Sequence, residues 1–457
     1  MRLLTKAIYR FSDLYHGTGM KEKTNFLLKS QWWSLDKLRE FQLQKLKKLV
    51  KHAYTHVPYY QKAFRNAGIV PSDIKELQDL EKIPILTKDD VRKYARSIIS
   101  RNAQQRDRIK GHTGGSTGLP IQLYRDRNTE AWATACMRRF YSWIGMELGE
   151  SVMTVAGGSL GGILRKRNLR TMITELRDRI EGRFFIQAFS LDDKQISKIE
   201  SILEKNPIRI LRGYPSALWI LSRFAMKNHK ILKQFEIAIT TAERLYDFQR
   251  SDIEEGLAVD VFDQYGSGEI YSIANQCEEK ELYHINDEHL IVETKSLGFD
   301  RPELTPAIVT NLDNYTMPFI RYDLGDIVRN TSRSCKCGRK LTTLESVVGR
   351  TYDFVVSTDG KLLPGVFIPH IFRKVQGFDR FYAHQPSIEL LQIKIVPNEQ
   401  FKEKELDDLE TAMKEFLGES VTIEFEEVEE SELPQTRSGK LVFVRSEIAP
   451  EYMKDST

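Results

Sequence analysis

The sequence predicts an α/β protein in two parts. Residues 1–349 read as a large, multi-layered N-terminal domain of mixed sheets and helices, with a helical arm over about 1–65, and residues 350–457 as a small α+β C-terminal domain. Three observations carry this. At 457 residues the chain is longer than one core supports, because single cores stop growing near roughly 250–300 residues. Between about 125 and 320, apolar runs ending in small or polar residues alternate with helical stretches, as buried parallel strands do when they deliver loops at their C-terminal ends. Near residue 350 the pattern changes to short strands and a helix.

The elements follow in chain order. In "MRLLTKAIYRFSDLY", Leu4, Ile8, Phe11 and Tyr15 form one helical stripe, which either docks on the protein's own body or lies on a membrane. Ser34 is a helix N-cap, and Leu35, Leu38, Leu46, Leu49, Val50 and Ala53 fall on one face of the helix that follows, which Pro58 ends. "EKIPILTKDDVRKYA" is a turn and then a helix capped near Thr87. "PIQLYRD" alternates as a strand through Ile121 and Leu123. "SVMTVAGG", "IRILRGYPS", "IAITTAERL" and "AVDVFDQYGSGE" are the buried strands, and ligands of open α/β sheets gather at such strand ends. "VVGRTYDFVVSTDGKLLPG" is a strand pair turning at Asp359-Gly360, and "KEKELDDLETAMKEFLG" a helix ended by Gly418. "VTIEFEEVEE" alternates Val421, Ile423 and Phe425 with polar residues, a strand with one wet face, and the acidic run Glu426–Glu432 reads as a solvated edge.

Composition is that of a globular protein, with 41% apolar and 29% charged residues. The net charge of +4 is uneven: residues 1–65 hold fourteen Lys/Arg against four Asp/Glu. This basic arm either approaches an anionic partner such as a membrane surface or is a solvated helix face. No run of 18 apolar residues crosses a bilayer, no secretory signal core is found, and four cysteines point to a reducing cytoplasm. No nucleic-acid partner is expected.

"GHTGGSTGLP", residues 111–120, holds four glycines and three hydroxyl side chains. Taken alone it is either a phosphate cradle, with backbone N–H groups turned toward an anion, or a glycine-rich turn between strands. It is not a Walker loop, because Gly118 is followed by Leu119 and Pro120 rather than by Lys and Ser/Thr.

Five motifs in order resemble the adenylate-forming superfamily of acyl- and aryl-CoA ligases and adenylation domains. They are Thr113–Pro120, "QYGSGE", "RYDLGD", "GRTYD" and "QTRSGK". "HVPYY", "RGYPSAL" and "TTAERL" are similar to the phenylacetate–CoA ligase-like branch, which includes proteins of capsular polysaccharide biosynthesis. The resemblance covers nearly the whole chain. It implies ATP-dependent activation of a carboxylic acid as an acyl-adenylate, release of pyrophosphate, and transfer to CoA. The alternative is transfer to an amine or hydroxyl acceptor in surface polysaccharide biosynthesis. Under it, Thr113, Gly114, Gly115, Ser116, Thr117 and Gly118 cradle the β- and γ-phosphates. Glu269 holds Mg²⁺, an ion that prefers oxygen ligands. Tyr265 lies along the adenine, Gly266 and Ser267 of the same loop and Glu243 join the nucleotide site, Asp326 accepts from the ribose hydroxyls, and Arg350 approaches ribose and phosphate. Lys440 is the catalytic residue, neutralising charge at the α-phosphoryl and carboxylate oxygens. Asp353 is the hinge about which a mobile small domain rotates between half-reactions. Gly114, where relatives have Ser, and the two prolines of "LLPGVFIP" depart from the pattern. A non-catalytic scaffold is disfavoured by intact Lys440, Glu269 and Asp326.

The acid is expected near "AGGSLGG", Arg212-Gly213-Tyr214-Pro215 and Ala242-Glu243. Gly157, Gly158, Gly161 and Gly162 either leave room or a lid, or make a tight turn. Arg165, Lys166, Arg167 and Arg170 either meet an anion or are solvated. Cys277, His284, Cys335 and Cys337 are a suitable donor set for a closed structural Zn²⁺ site, or are three reduced thiols and an ordinary histidine.

Overall fold

The computed structural model describes residue 13 and residues 17–104, 108–112, 122–156, 178–187, 193–227, 234–294, 303–350, 353–365, 367–372, 375, 377–435 and 441–455. The Leu4–Tyr15 stripe, the loop Thr113–Gly118, Ile121, the glycines 157–162, the basic cluster Arg165–Arg170 and Lys440 lie outside the described residues.

Helices α1 (Met20–Ser30), α2 (Leu35–His56), α3 (Pro58–Ala67) and α4 (Lys88–Ile98) open the described chain. Ser34 caps α2 by accepting from the Lys37 N–H, and Leu38, Leu46, Leu49, Val50 and Ala53 are buried along it. Leu35 is not on that buried face: it is 37% exposed. Helical side chains lean toward the N-terminus, so a first-turn residue projects past the body that the later turns cover. Val57 ends α2 and Pro58 begins α3, where its missing N–H costs nothing. Thr87 and Asp90 cap α4 reciprocally.

β1 (Ile109–His112) and β2 (Gln122–Arg125) form an antiparallel hairpin whose ends, His112 and Gln122, bracket the glycine loop. After α5 (Arg127–Trp143) come β3 (Val152–Ala156), β4 (Arg183–Gln187), α6 (Asp193–Lys205), β5 (Ile210–Gly213), α7 (Pro215–Lys227), β6 (Ile237–Thr241), α8 (Asp247–Leu257) and β7 (Asp260–Ser267). Strands β3 to β7 pair in parallel in the order β4-β3-β5-β6-β7. The sheet then continues antiparallel through β8 (Tyr271–Gln276), β9 (Tyr283–Ile285), β10 (Leu290–Thr294), β11 (Leu304–Asn311), β12 (Tyr322–Asn330) and β13 (Thr343–Arg350), making eleven strands among the described residues. Its two faces bury different cores. Leu211, Ala238 and Val261 share a core with residues of α7 and α8, whereas Ile210, Ile239 and Phe262 share one with Phe140 and Trp143 of α5.

The last part holds the hairpin β14 (Phe354–Val356) and β15 (Leu362–Pro364), α9 (Phe367–Phe372), β16 (Phe378–Ser387), β17 (Leu390–Pro397), α10 (Lys404–Leu417), β18 (Thr422–Glu427), β19 (Val444–Ser446) and α11 (Ala449–Asp455). The small sheet runs β18-β17-β16-β19, and Leu391, Ile393 and Ile395 share its core with Leu409, Met413 and Leu417 of α10. The acidic run lies on and after the edge strand β18, with Glu426, Glu427, Glu429, Glu430 and Glu432 exposed. Phe443 sits 5.7 Å from Tyr246 and 6.4 Å from both Trp219 and Phe248, so aromatic packing holds the small sheet against α7 and α8. No helix among the described residues is long and apolar enough to cross a membrane.

Candidate active site

A cavity of about 360 Å³ opens at the C-terminal ends of β6 and β7. It is walled by Glu243 and Arg244, by Gln264–Gly266, by Asp326, by Gly349, Arg350 and Asp353, and on the small-sheet side by Leu441–Arg445. Strand ends at a sheet's parallel half are where ligands of such sheets bind.

Asp326 organises the cavity. The register of β12 and β13 puts it directly opposite Arg350, whose Nε lies 3.4 Å from Asp326 Oδ1. The Tyr265 hydroxyl donates to Asp326 Oδ2 at 3.0 Å. Burial, with Asp326 beside it, holds the Tyr265 phenol well above its ordinary pKa, so it remains a neutral donor. Arg350 N–H donates to Asp353 Oδ2 at 2.7 Å, and the Asp353 carbonyl accepts from Gly365 N–H at 2.9 Å. Burial raises the Asp353 carboxyl, opposed by the Arg350 contacts. Gly349 has φ +134°, and a β-carbon there would lie 2.7 Å from Asp353 Oδ2, so the tight approach of Asp353 requires glycine. Arg244 donates to the Val348 carbonyl, tying the end of β6 to β13. Glu243 lines the cavity while its Oε2 accepts from Ser216 N–H in the first turn of α7.

Ser267 ends β7 and Glu269 stands in the adjoining β7–β8 turn; neither is among the residues lining the cavity. Ser267 Oγ accepts from Ile270 N–H, and Glu269 Oε1 accepts from the Tyr322 hydroxyl at 3.1 Å. At Gly266 a side chain would collide with the Tyr271 carbonyl, which sets the sharpness of the turn. The arginine of "RYDLGD" is structural: Arg321 pairs with both Glu293 oxygens at 3.0 Å and donates to the Glu81 and Ile83 carbonyls.

Sequence reasoning missed Arg125. It is buried, lies 3.8 Å from the centre of the Tyr271 ring, donates to the Tyr271 hydroxyl at 2.8 Å and to the Gly268 carbonyl. Arg125 thus clamps the hairpin bearing the glycine loop onto the turn bearing Glu269. The one signal was a charged residue in the alternating strand after that loop.

The cysteines and histidine meet at the other end of strands β8 and β13. Cys277 follows β8, His284 is in β9, and Cys335 and Cys337 lie between β12 and β13. Their four ligand atoms all lie within 4.8 Å of one another, with Cys277 Sγ 3.6 Å from Cys335 Sγ and Cys337 Sγ 3.4 Å from His284 Nε2. Ligands about 2.0–2.3 Å from a tetrahedral zinc would be spaced by roughly 3.5–3.8 Å, so the donor set fits that ion. Burial pushes the Cys277 and Cys335 thiols up, whereas at Cys337 burial is outweighed by His284 and Arg339, holding it to about 6. Arg339 stitches the loop down, paired with both Glu278 oxygens at 2.9 and 2.8 Å and stacked 4.8 Å from the Trp143 ring.

Residues 355–447 match the model of the CapK C-terminal domain. The chain is 24% identical over 415 residues to Protein CapK of Staphylococcus aureus, covering 90% of each. It is 26% identical over 333 residues to the phenylacetate-coenzyme A ligase of Thermus thermophilus, covering 70% of this chain and 72% of that one. Among solved structures it superposes on 2-hydroxyisobutyryl-CoA ligase in the postadenylation state with a TM-score of 0.73 at 16% identity, covering 94% and 95% of the two chains. The chain is thus similar to CapK over most of its length and to the phenylacetate-CoA ligases over 70% or more of it, and it has the fold of 2-hydroxyisobutyryl-CoA ligase. The same 2-hydroxyisobutyryl-CoA ligase in its thioesterification state superposes with a TM-score of 0.60 at 17% identity, covering 93% of this chain and 94% of that one.

Proposed function

We propose that this protein is an AMP-forming acid–thiol ligase. A substrate carboxylate oxygen attacks the α-phosphorus of ATP, the α–β phosphoanhydride breaks, and pyrophosphate leaves. The CoA thiol then attacks the acyl carbon of the adenylate, losing its proton, and AMP departs with the bond electrons. The observation that carries this reading is Asp326, a largely buried carboxylate at the cavity wall flanked by a neutral phenol and a guanidinium. A carboxylate accepts from two hydroxyls at once, as a ribose diol requires. Tyr265 and Gly266 give the adenine a flat wall, and Arg350 and Glu243 border the phosphate path. The glycine loop Thr113–Gly118 receives the β- and γ-phosphates, rooted through Arg125 beside the Glu269 turn. Glu269 offers the hard oxygen that Mg²⁺ prefers, and the ion supplies charge screening on the triphosphate. Lys440 closes the α-phosphoryl side: its loop is rooted by the Gln435–Leu441 bridge, and Leu441 lines the cavity.

The domain division at 349/350 belongs to this reading, with Asp353 as the hinge beside the end of β13. The higher likeness to a postadenylation-state ligase supports an arrangement suited to the first half-reaction. Zinc at Cys277, His284, Cys335 and Cys337 is structural here, since four protein ligands leave no open position. None of the four cysteines is in a disulfide, which suits a reducing cytoplasm.

One observation favours a second acceptor. The CapK relative spans 90% of each chain, and the CapK C-terminal model matches the part that would present the acceptor. Transfer to an amine or hydroxyl of a surface-polysaccharide precursor is that reading. Carboxylate-dependent pyrophosphate release, measured with and without CoA, separates the two. Release stimulated by CoA with thioester formation supports the ligase; release without any thioester supports the second acceptor; no release across a broad acid panel removes both.

A further inference from the structure

Arg212 is the third residue of β5 and breaks that strand's pattern. Strand alternation puts it on the α5 face of the sheet, where Ile210, Ile239 and Phe262 are buried and apolar. A guanidinium has five N–H donors and keeps its charge at any working pH. Arg212 uses one of them: Nη2 donates to Gln264 Oε1 at 3.2 Å. Its Nε is buried without an acceptor, and no carboxylate among the described residues lies within 4.0 Å of it. Arg209, three residues earlier, shows the ordinary alternative, pairing with Glu150 at 2.9 Å and Glu236 at 2.5 Å. Arg212 as a whole is half-buried, but a buried donor left without an acceptor costs free energy in the free protein, and a ligand acceptor recovers it.

The position says which ligand. Arg212 is in register with Ile239 and Gln264 with Thr241, so the contact between them crosses the C-terminal end of β6. Gln264 immediately precedes Tyr265 and lines the nucleotide cavity. Its Nε2 is turned to Met137 Sδ, a thioether and a weak acceptor, so this amide also has donor capacity to give. Two underused polar heads thus stand behind the cavity wall, beside the nucleotide and on the parallel-strand ends.

We propose that Arg212 and Gln264 form the far end of the acyl site, and that the acid carries a second anionic group: a dicarboxylate or an acid of equivalent charge. This rests on the adenylate-forming reading above and names its substrate class. Arg212 receives the second carboxylate, and Gln264 turns its amide to donate to the same group.

Non-hydrolysable acylsulfamoyl-adenosine mimics test this in matched pairs, with a terminal carboxylate or a terminal methyl, at three chain lengths. Calorimetry on the full chain should show the carboxylated member binding about tenfold or more tightly in at least one pair. R212M should erase that preference with AMP affinity within about twofold of wild type, R212K should keep part of it, and Q264L should weaken it. Equal or tighter binding of the methyl member at every length overturns the inference. So does an R212M effect confined to pyrophosphate or CoA binding. If AMP binds and no mimic binds more tightly than AMP, only this inference falls. If AMP itself fails to bind, the adenylate-forming reading falls and this falls with it.

Discussion

Strands β8 and β13 each run from one candidate site to the other. β8 begins at Tyr271, beside the Glu269 turn, and ends one residue before Cys277; β13 begins after Cys335 and Cys337 and ends at Arg350. At the cysteine end, four donor atoms converge within 4.8 Å of one another. At the arginine end, donors and acceptors pair across the walls of a space of about 360 Å³. The first arrangement has room for one ion and nothing more. The second pairs its polar groups along its walls, leaving the space between them open. A closed site adds to stability, and an open one keeps its polar groups ready for a partner.

The strongest way to break the open end alone is Lys440→Ala. Adenylation should fall by roughly a hundredfold or more, because a cation aimed at developing charge is lost, while ATP binding persists. Pyrophosphate release and calorimetry measure the two, and undiminished adenylation would remove Lys440 from the mechanism. Asp326→Ala comes next. It strips the acceptor from Tyr265 and the counter-charge from Arg350, so AMP affinity should weaken by roughly ten- to a hundredfold, as for a charged hydrogen bond worth about 1.5–3 kcal/mol. Zinc content should not change; if it does, the two ends are not separable.

The closed end is broken by Cys335→Ser or by chelation. Zinc should be lost from the purified protein, and the thermal midpoint should drop by about 5 °C or more, with AMP affinity little altered. Metal analysis that finds no zinc, together with an unchanged midpoint in Cys335→Ser, would leave three thiols and a histidine as ordinary core residues.

The two ends were unequally legible in the sequence. The parallel strands β3, β5, β6 and β7, the caps at Ser34 and Thr87 and the turn at Gly360 are written in local pattern, because each depends on residues a few positions apart. Asp326 and Arg350 could be named from motifs, but their pairing depends on the β12–β13 register, which no local signal sets. The cysteine cluster was a donor list whose members are up to 60 residues apart until the fold joined β8, β9 and the loop before β13. Arg125 and Gln264 lie in stretches the sequence marks, but nothing local names their partners. Arg125 finds Tyr271 across 146 residues, and the Arg212–Gln264 contact spans 52 and crosses a strand.

The smallest effect sharpens the comparison, because it acts at the closed end through protons. Asp287 is 4% exposed, three residues after His284, and accepts from the Thr342 N–H at 2.7 Å. Burial pushes its carboxyl up to about 7; the Thr342 hydrogen bond opposes this and Glu288 adds to it. The folded state therefore holds this proton more tightly than the unfolded chain, whose carboxyl has the ordinary value near 3.9. The stabilisation is complete below that value and is lost as pH rises through about 7. Asp287→Asn keeps an acceptor for Thr342 and removes the titration, so stability should fall less between pH 5 and 8 in the variant than in wild type. Zinc ligation as proposed above would have the opposite slope, since thiolates lose metal on protonation, but it would be common to both proteins and cancel in the difference. Urea midpoints across that range measure it, and parallel curves would show that Asp287 titrates normally. AMP affinity, read at the other end of β13, should follow the same pH profile in both proteins.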